Sequence, residues 1–421
     1  MNPAIITLFI LLLALILFAS EKIPMALTSM IVCITIILTG VLTPAQGFAG
    51  FVSPTVILLV GMFVIGGALF ETGMANEIGG LVTKFPFIKT ERQIMIAVMI
   101  ISATMSAFLA NTGTAAVLIP VVLGICARSG ITPSKLLLPM ACIICIAGTL
   151  SLVSTPSAMI AHVALKEATG NGFGFFEYAL VSLPLVVVTI LYFAFLGYKL
   201  LPDRTPVEAF DQVTDFSHIP SWKRWFSLGL LLGTVIVMIF EAQIGIPLHV
   251  ASSIGAILLV LTGVITEKQA YKAIDLRVIF LLGGTLALGT ALDVSGAGKI
   301  LADSIIGMLG DNASPLALLA VVILVAATLT QIMSNTATTV LLVPVNLTIA
   351  QAMQVDPRTI MAATVIGVSL AFLTPIAVPH NLMVYSAAGL KFSDYSKTGA
   401  PLFIIMLIVI FILLPIFFPF Y

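Results

Sequence analysis

Ser334-Asn335-Thr336-Ala337-Thr338-Thr339 interrupts the apolar run from Leu316 to Pro344 with six consecutive small or polar residues. A helix that crosses a bilayer needs about 20 predominantly apolar residues, so this is a polar patch where the chain should be oily. A second patch, Asn111-Thr112-Gly113-Thr114, lies inside the run from Ile94 to Val122, with Asn111 224 positions before Asn335. Similar apolar tails follow, Ala115-Ala116-Val117-Leu118-Ile119-Pro120 and Val340-Leu341-Leu342-Val343-Pro344. A polar interruption that occurs twice in corresponding places points to a working site.

Composition sets the class. Hydrophobic residues make up 60% of the 421, charged residues 9%, and the mean hydropathy is +1.21. Soluble domains carry about 25% charged residues, so an integral membrane protein is expected. Net charge is zero and no basic block occurs, which argues against nucleic acid as a partner. Cys33, Cys126, Cys142 and Cys145 lie in or beside apolar segments and are expected to pack as small residues, the C-x-x-C included. Pro3 to Phe18 has no basic n-region, and Glu21-Lys22 stand where a small-residue cleavage site would be. It reads as a retained helix. Neither H-E-x-x-H nor G-x-S-x-G occurs at membrane depth, so no enzyme is expected, and no cofactor beyond a coupling ion.

Three blocks repeat at nearly one offset. Gly61 to Glu71 matches Gly283 to Asp293 at 222, Ser106 to Pro120 matches Thr330 to Pro344 at 224, and Thr155-Pro156 falls opposite Val378-Pro379 at 223. The expected units are therefore residues 1–201 and 222–421, joined by a cytoplasmic linker at 202–221. The first contains a hairpin over 92–128 and a broken helix over 136–164. The second contains a hairpin over 314–352 and a broken helix over 359–388.

If both hairpins enter and leave on one side, each unit has five full crossings, and an odd number inverts the second unit. With the N-terminus outside, the cytoplasmic links carry Lys22, Lys84, Lys89, Arg92, Arg128, Lys135, Lys199, Arg204, Lys223, Arg224, Lys268, Lys272, Arg277, Lys391 and Lys397. Only Lys166, Lys299 and Arg358 face out. The positive-inside rule favours this arrangement. The fold class is all-α: about ten transmembrane helices in two inverted five-helix repeats, each with a re-entrant hairpin and a broken helix. N- and C-termini are expected outside the cytoplasmic membrane. Inverted repeats with broken helices mark secondary transporters, with the site near the midplane.

The polar residues supply the chemistry. Non-helical backbone at membrane depth is tolerated only inside protein or around a solvated cavity. Asn and Thr are expected to cap the second arm of each hairpin, whose N–H groups then form an anion site. Ser106 and Thr330 stand one turn before the tips, and with Asn111 and Asn335 they offer hard oxygens suited to Na⁺. Ser154-Thr155-Pro156-Ser157 and Thr374 to Asn381 should break their helices at the prolines, freeing carbonyls of Ser154 and Ala377. Glu71 and Asp293, at helix ends, read as caps or lipid-interface residues. His380 is open between helix packing and a proton or substrate role.

With these residues on the page, the chain resembles the divalent-anion:sodium symporter family, within the citrate-transporter-like ion transporter superfamily. The resemblance rests on Ser334-Asn335-Thr336, Ala110-Asn111-Thr112, Thr155-Pro156, the Pro379–Asn381 break, Lys391-Phe392-Ser393-Asp394-Tyr395 and Gly399-Ala400-Pro401-Leu402. It implies a homodimer in which a transport domain moves against a scaffold as an elevator. It also implies cation sites on Ser106, Asn111 and Ser154, and on Thr330, Asn335 and Ala377. Substrate contacts would fall on Asn111, Thr112, Ser334, Asn335, Thr336, Val378 and Pro379, with Thr155, Pro156, His380 and Asn381 as further candidates. The first tip has Ala110 where the family has serine. Thr374-Pro375-Ile376 followed by Asn381-Leu382-Met383-Val384 resembles the branch associated with sulfate and related inorganic anions. The expected function is Na⁺-coupled symport of a small divalent anion, sulfate-like or dicarboxylate. The alternatives are a proton-coupled transporter using His380, a cation/proton antiporter and an arsenite-type permease.

Overall fold

Every regular element among the described residues is helical. The computed structural model describes residues 2–20, 22–80, 90–204, 219–298, 300 and 314–421. Lys84, Lys89, Lys299 and positions 205–218 of the expected linker lie outside the described residues.

The first half runs α1 (Pro3–Ser20), α2 (Met25–Leu38), α3 (Pro44–Phe48), α4 (Pro54–Glu71), α5 (Met74–Gly79), α6 (Glu91–Ser106), α7 (Asn111–Ser129), α8 (Pro133–Ala147), α9 (Pro156–Thr169) and α10 (Ala179–Phe195). The second runs α11 (Ser221–Ile239), α12 (Glu241–Ile244), α13 (Leu248–Leu261), α14 (Glu267–Ala273), α15 (Leu276–Ser295), α16 (Pro315–Leu329), α17 (Asn335–Ala352), α18 (Pro357–Val368), α19 (Pro379–Ala387) and α20 (Phe392–Phe417). Five stretches are long and apolar enough to cross a bilayer by length and composition: 44–71, 111–129, 221–239, 276–295 and 392–417. Other apolar helices are shorter, several because a tip or a break divides a longer run.

Three expectations about the links change. Segments read as plain polar links contain α3, α5 and α14. Thr43 and Thr266 start α3 and α14 with reciprocal capping boxes to Gln46 and Gln269, which satisfies N–H groups that an apolar count does not register. The last helix begins at Phe392 instead of Leu402, because the Lys391 N–H is held at 2.7 Å by the Asp394 carboxylate.

Equivalent helices of the two halves make reciprocal contacts. A Cβ on Gly61 of α4 would strike Ser252 of α13, and one on Gly284 of α15 would strike Ser29 of α2. The pairs exchange when every number is shifted by 223, the mark of a two-fold relation between halves. The glycines let these helices close on each other. Direction follows from neighbours. The Glu71 end of α4 lies against α14, where Gln269 donates to Glu71 at 2.7 Å. Helix α15 starts just past α14, so the end of α4 and the start of its counterpart share one face, and the repeats are inverted.

The charges sort with that geometry. On one face Lys135 pairs with Glu91 at 3.2 Å, Arg204 with Asp394 at 2.6 Å, and Arg224 with Glu77 at 3.7 Å. On the other, Arg358 pairs with Glu177 at 2.5 Å and the Asp356 N–H reaches the Phe420 carbonyl. Glu91 opens α6 and Lys135 lies in the first turn of α8, so their pair brings the starts of α6 and α8 together. At the centre lie α8 and α18, buried throughout from Leu136 to Ala147 and from Thr359 to Val368. Helices apolar all round are core helices, and the site is built at their C-terminal ends.

Candidate functional site: two hairpin tips over two broken helices

The first tip is the turn between α6 and α7. Ser106 Oγ lies 2.6 Å from Asn111 Oδ1 and 3.2 Å from the Ile144 carbonyl of α8. The second tip repeats this with Thr330 Oγ1, 2.6 Å from Asn335 Oδ1 and 2.9 Å from the Val368 carbonyl of α18. Each asparagine spends its oxygen on the hydroxyl one turn earlier and keeps its Nδ2 donors for an acceptor. The expectation that Asn and Thr cap the second arms is corrected. The capping position is one residue earlier, where Ser334 accepts the Ala337 N–H at 3.2 Å and Ala110 has nothing to offer. Asn111 and Asn335 are the first helical residues.

The breaks span 148–155 and 369–378, longer than the sequence implied. Pro156 and Pro379 do not open them. Both stand in the first turn of the following helix, where a missing N–H costs nothing, so they close the break. The first opens at Gly148, on which the Asn111 side chain rests: a Cβ there would lie 2.4 Å from Asn111 Oδ1. Sequence reasoning missed Gly148, and a glycine amid bulky apolar residues was its only signal. Ser154 Oγ donates to the carbonyls of Ser106 and Leu109 (2.9 Å for the latter), so Ser106, Asn111 and Ser154 do come together. Thr330 and Asn335 meet as expected. Ala377 is buried in the second break, with no described bond to either. Gln331, also missed, ties that tip to its break.

The four helices pack crosswise. Helix α7, carrying Asn111 and Thr112, packs on α19, whose first residues are Pro379, His380 and Asn381. Helix α17, carrying Asn335 and Thr336, packs on α9, which begins at Pro156. Neither Val378 nor Thr155, the residues before those prolines, makes a side-chain cap. No capping side chain takes up the N–H groups at these two starts. Uncharged oxygens of Ser106, Asn111 and Ser154, and of Thr330 and Asn335, are chemically a fit for a hard monovalent cation.

His380 and Asn381 are turned inward. His380 Nε2 lies 3.1 Å from Cys145 Sγ, and Asn381 Nδ2 donates to the Ala371 carbonyl at 2.6 Å. Glu71 lines a cleft with Phe70, Phe108, Leu109, Ala110, Val153 and Lys272, directly beside the first tip. Asp293 lines a separate groove with Glu167 and Thr348. The tips differ in their surroundings. Gly113 is so close under Phe70 of α4 that a Cβ would lie 2.7 Å from the ring, while Ala110 and Thr112 beside it are exposed; at the second tip Ala337 is buried and Ile332 is 72% exposed.

Paired helical hairpins and broken helices in inverted repeats, with polar tips at the centre, define a multi-pass membrane transporter. The citrate transporter family profile matches residues 15–367 and 236–420, and the chain belongs to that family. It is 28% identical to an uncharacterized transporter of Haemophilus influenzae, over 94% of this chain and 88% of that one. It is 23% identical to the sodium-dependent dicarboxylate transporter SdcS of Staphylococcus saprophyticus, over 94% of this chain and 84% of the relative. Its fold matches the crystal structure of the Alcanivorax borkumensis YdaH transporter with a TM-score of 0.67 at 16% identity, covering 99% and 98% of the two chains. The resemblance to divalent-anion:sodium symporters read from the motifs is thereby borne out.

Proposed function

We propose that the protein is a secondary active transporter that carries a small divalent anion, dicarboxylate or sulfate-like, across the cytoplasmic membrane together with Na⁺. The observation that carries the reading is the crosswise packing of α7 on α19 and of α17 on α9, with Asn111 and Asn335 as the first residues of α7 and α17, among tip residues free of Lys, Arg, Asp and Glu. Each helix start is equivalent to roughly half a positive charge, and the Asn and Thr side chains add hydrogen-bond donors. Such a site attracts an anion and still releases it. With no basic side chain at the tips, cations held by uncharged oxygens neutralise the rest of the charge. The sodium dependence and dicarboxylate substrate named for the SdcS relative support this choice of ions.

The docking of the first tip against α4 beside a cleft supports an elevator. The first hairpin is docked under α4 and faces the cleft beside Lys272, which the positive-inside rule puts on the cytoplasmic side. The inverted repeat supplies the mirrored arrangement, with Ala337 of the second tip under Leu292 of α15, as the other end of the stroke. Both hairpins are re-entrant in this reading, both termini are outside, and the working unit is a homodimer. His380 is buried against Cys145, which disfavours the proton-coupled alternative. The tips lack the buried carboxylates a cation/proton antiporter needs.

The test is uptake of radiolabelled succinate and sulfate into proteoliposomes. Uptake is expected to require an inward Na⁺ gradient and to be nearly lost in Asn335→Ala. Equal uptake with choline in place of Na⁺, at every pH tried, would sink the coupling claim.

A further inference from the structure

The two halves hold their breaks in different ways. In the second half Gln331 is buried beside Thr330. Its Nε2 donates to the carbonyls of Ala327 at 2.8 Å and Leu370 at 2.7 Å, and its Oε1 accepts the Leu373 N–H at 3.0 Å. Its backbone carbonyl accepts the Thr374 hydroxyl at 2.8 Å. Asn381 Nδ2 reaches the Ala371 carbonyl at 2.6 Å and Ser396 Oγ the Leu373 carbonyl at 3.0 Å. Tip and break are joined by protein groups alone.

In the first half Ala107 stands where Gln331 does, 224 positions earlier. The counterpart of Thr374 is Ser151, which is 0% exposed and has no hydrogen-bond partner. The hydroxyls of Thr155 and Ser157 also lack partners, and Ser157 is 3% exposed. Among the described residues, no side chain donates to a carbonyl between Gly148 and Ser154. The ties that exist are Thr149 Oγ1 with Ser182 Oγ at 2.7 Å at the start of the break, Ser154 on the tip carbonyls, and the Leu152 N–H on the Phe175 carbonyl at 2.9 Å; none of them reaches the hydroxyls of Ser151, Thr155 and Ser157. Buried polar groups are nearly always satisfied, and leaving several unpaired in one stretch is unfavourable. Hydroxyl and carbonyl oxygens gathered without a charged side chain are ligands for a monovalent cation.

We propose that Gln331 is a positioning residue that sets the second break in its final form without an ion. The first break, 148–157, reaches its final form only around a bound cation of the sodium class. This rests on the Na⁺-coupled reading above and sharpens it, because ion-dependent ordering of the site then belongs to the first half.

Amide hydrogen exchange on the purified full-length protein tests this in choline chloride, in sodium chloride, and in sodium chloride with succinate or sulfate. In choline, Leu373 and its neighbours in 369–378 are expected to exchange on the order of tenfold more slowly than 148–155. Gln331→Leu should remove that protection. Na⁺ should slow exchange in 148–155 and leave 369–378 unchanged, and Ser151→Ala, which leaves the second break untouched, should weaken the Na⁺ response. Equal exchange of the two breaks in choline, or a Leu373 amide indifferent to Gln331→Leu, overturns the positioning role. If Na⁺ drives uptake but protects both breaks alike, the proposal fails and the transport reading stands. If Na⁺ neither drives uptake nor changes exchange, the coupling reading and the first-half site fall together, and the choline arm still decides the role of Gln331.

Discussion

Ser106 with Asn111 and Thr330 with Asn335 make the same 2.6 Å contact, yet their surroundings diverge. The first tip has no cap, rests under Phe70 and lines an open cleft; the second is capped by Ser334, is tied down by Gln331 and leaves Ile332 exposed. Duplication has kept the hydroxyl–asparagine contact and let the supports drift. In the proposed carrier, two copies of one chemistry in two environments would give similar recognition from either side and a structural reason to move between them.

The comparison can be broken most decisively at the asparagines. Asn111→Ala and Asn335→Ala each remove the acceptor of a buried hydroxyl and two donors facing the site. Each should cut Na⁺-driven uptake by about 100-fold, the scale of losing hydrogen bonds to a charged ligand. If one variant retains full uptake, the anion is held by a single tip and the symmetric reading ends there. Gly148→Ala comes next. Its Cβ would sit 2.4 Å from Asn111 Oδ1, an overpacking that typically costs about 1–3 kcal/mol. The ligand-induced thermal shift should fall while the protein stays monodisperse in size-exclusion chromatography. An unchanged shift would mean that Asn111 does not rest on this break.

A smaller effect separates the caps. Ser334→Ala should destabilise the protein by about 1 kcal/mol and Ala110→Ser should stabilise it by up to a similar amount, read as opposite changes in Tm. Changes of the same sign would contradict the difference in capping. Smallest is the partly buried pair Glu91–Lys135, which joins the starts of α6 and α8. Glu91→Lys should cost up to about 1 kcal/mol, and the swap Glu91→Lys with Lys135→Glu should recover only part of it, because Asp203 also lies 3.8 Å from Lys135. A swap that recovers nothing would separate the starts of α6 and α8.

Much of this was legible in the chain. The duplicated polar tips, the broken helices and the sorting of charges follow from local composition and from matching the two halves. Links such as 44–48 and 267–273 were underestimated because their helices are started by capping side chains and not by apolar periodicity. The break boundaries were misplaced because a proline reads as a breaker in sequence, while in space it can just as well begin the next helix. Gln331 and Gly148 were passed over because an isolated Gln or Gly in an apolar run has no pattern of its own.

The sequence by itself determined that this is a membrane protein built twice, with Asn111 and Asn335 at corresponding tips, because hydropathy and repeat spacing are properties of the chain alone. Only the tertiary structure decided which helix packs on which. It pairs α7 with α19 and α17 with α9, puts the Asn111 amide on Gly148, and closes the second break with Gln331. Those choices depend on the packing of residues far apart in the chain, on steric fit and on which buried donors find acceptors, none of which any local pattern encodes.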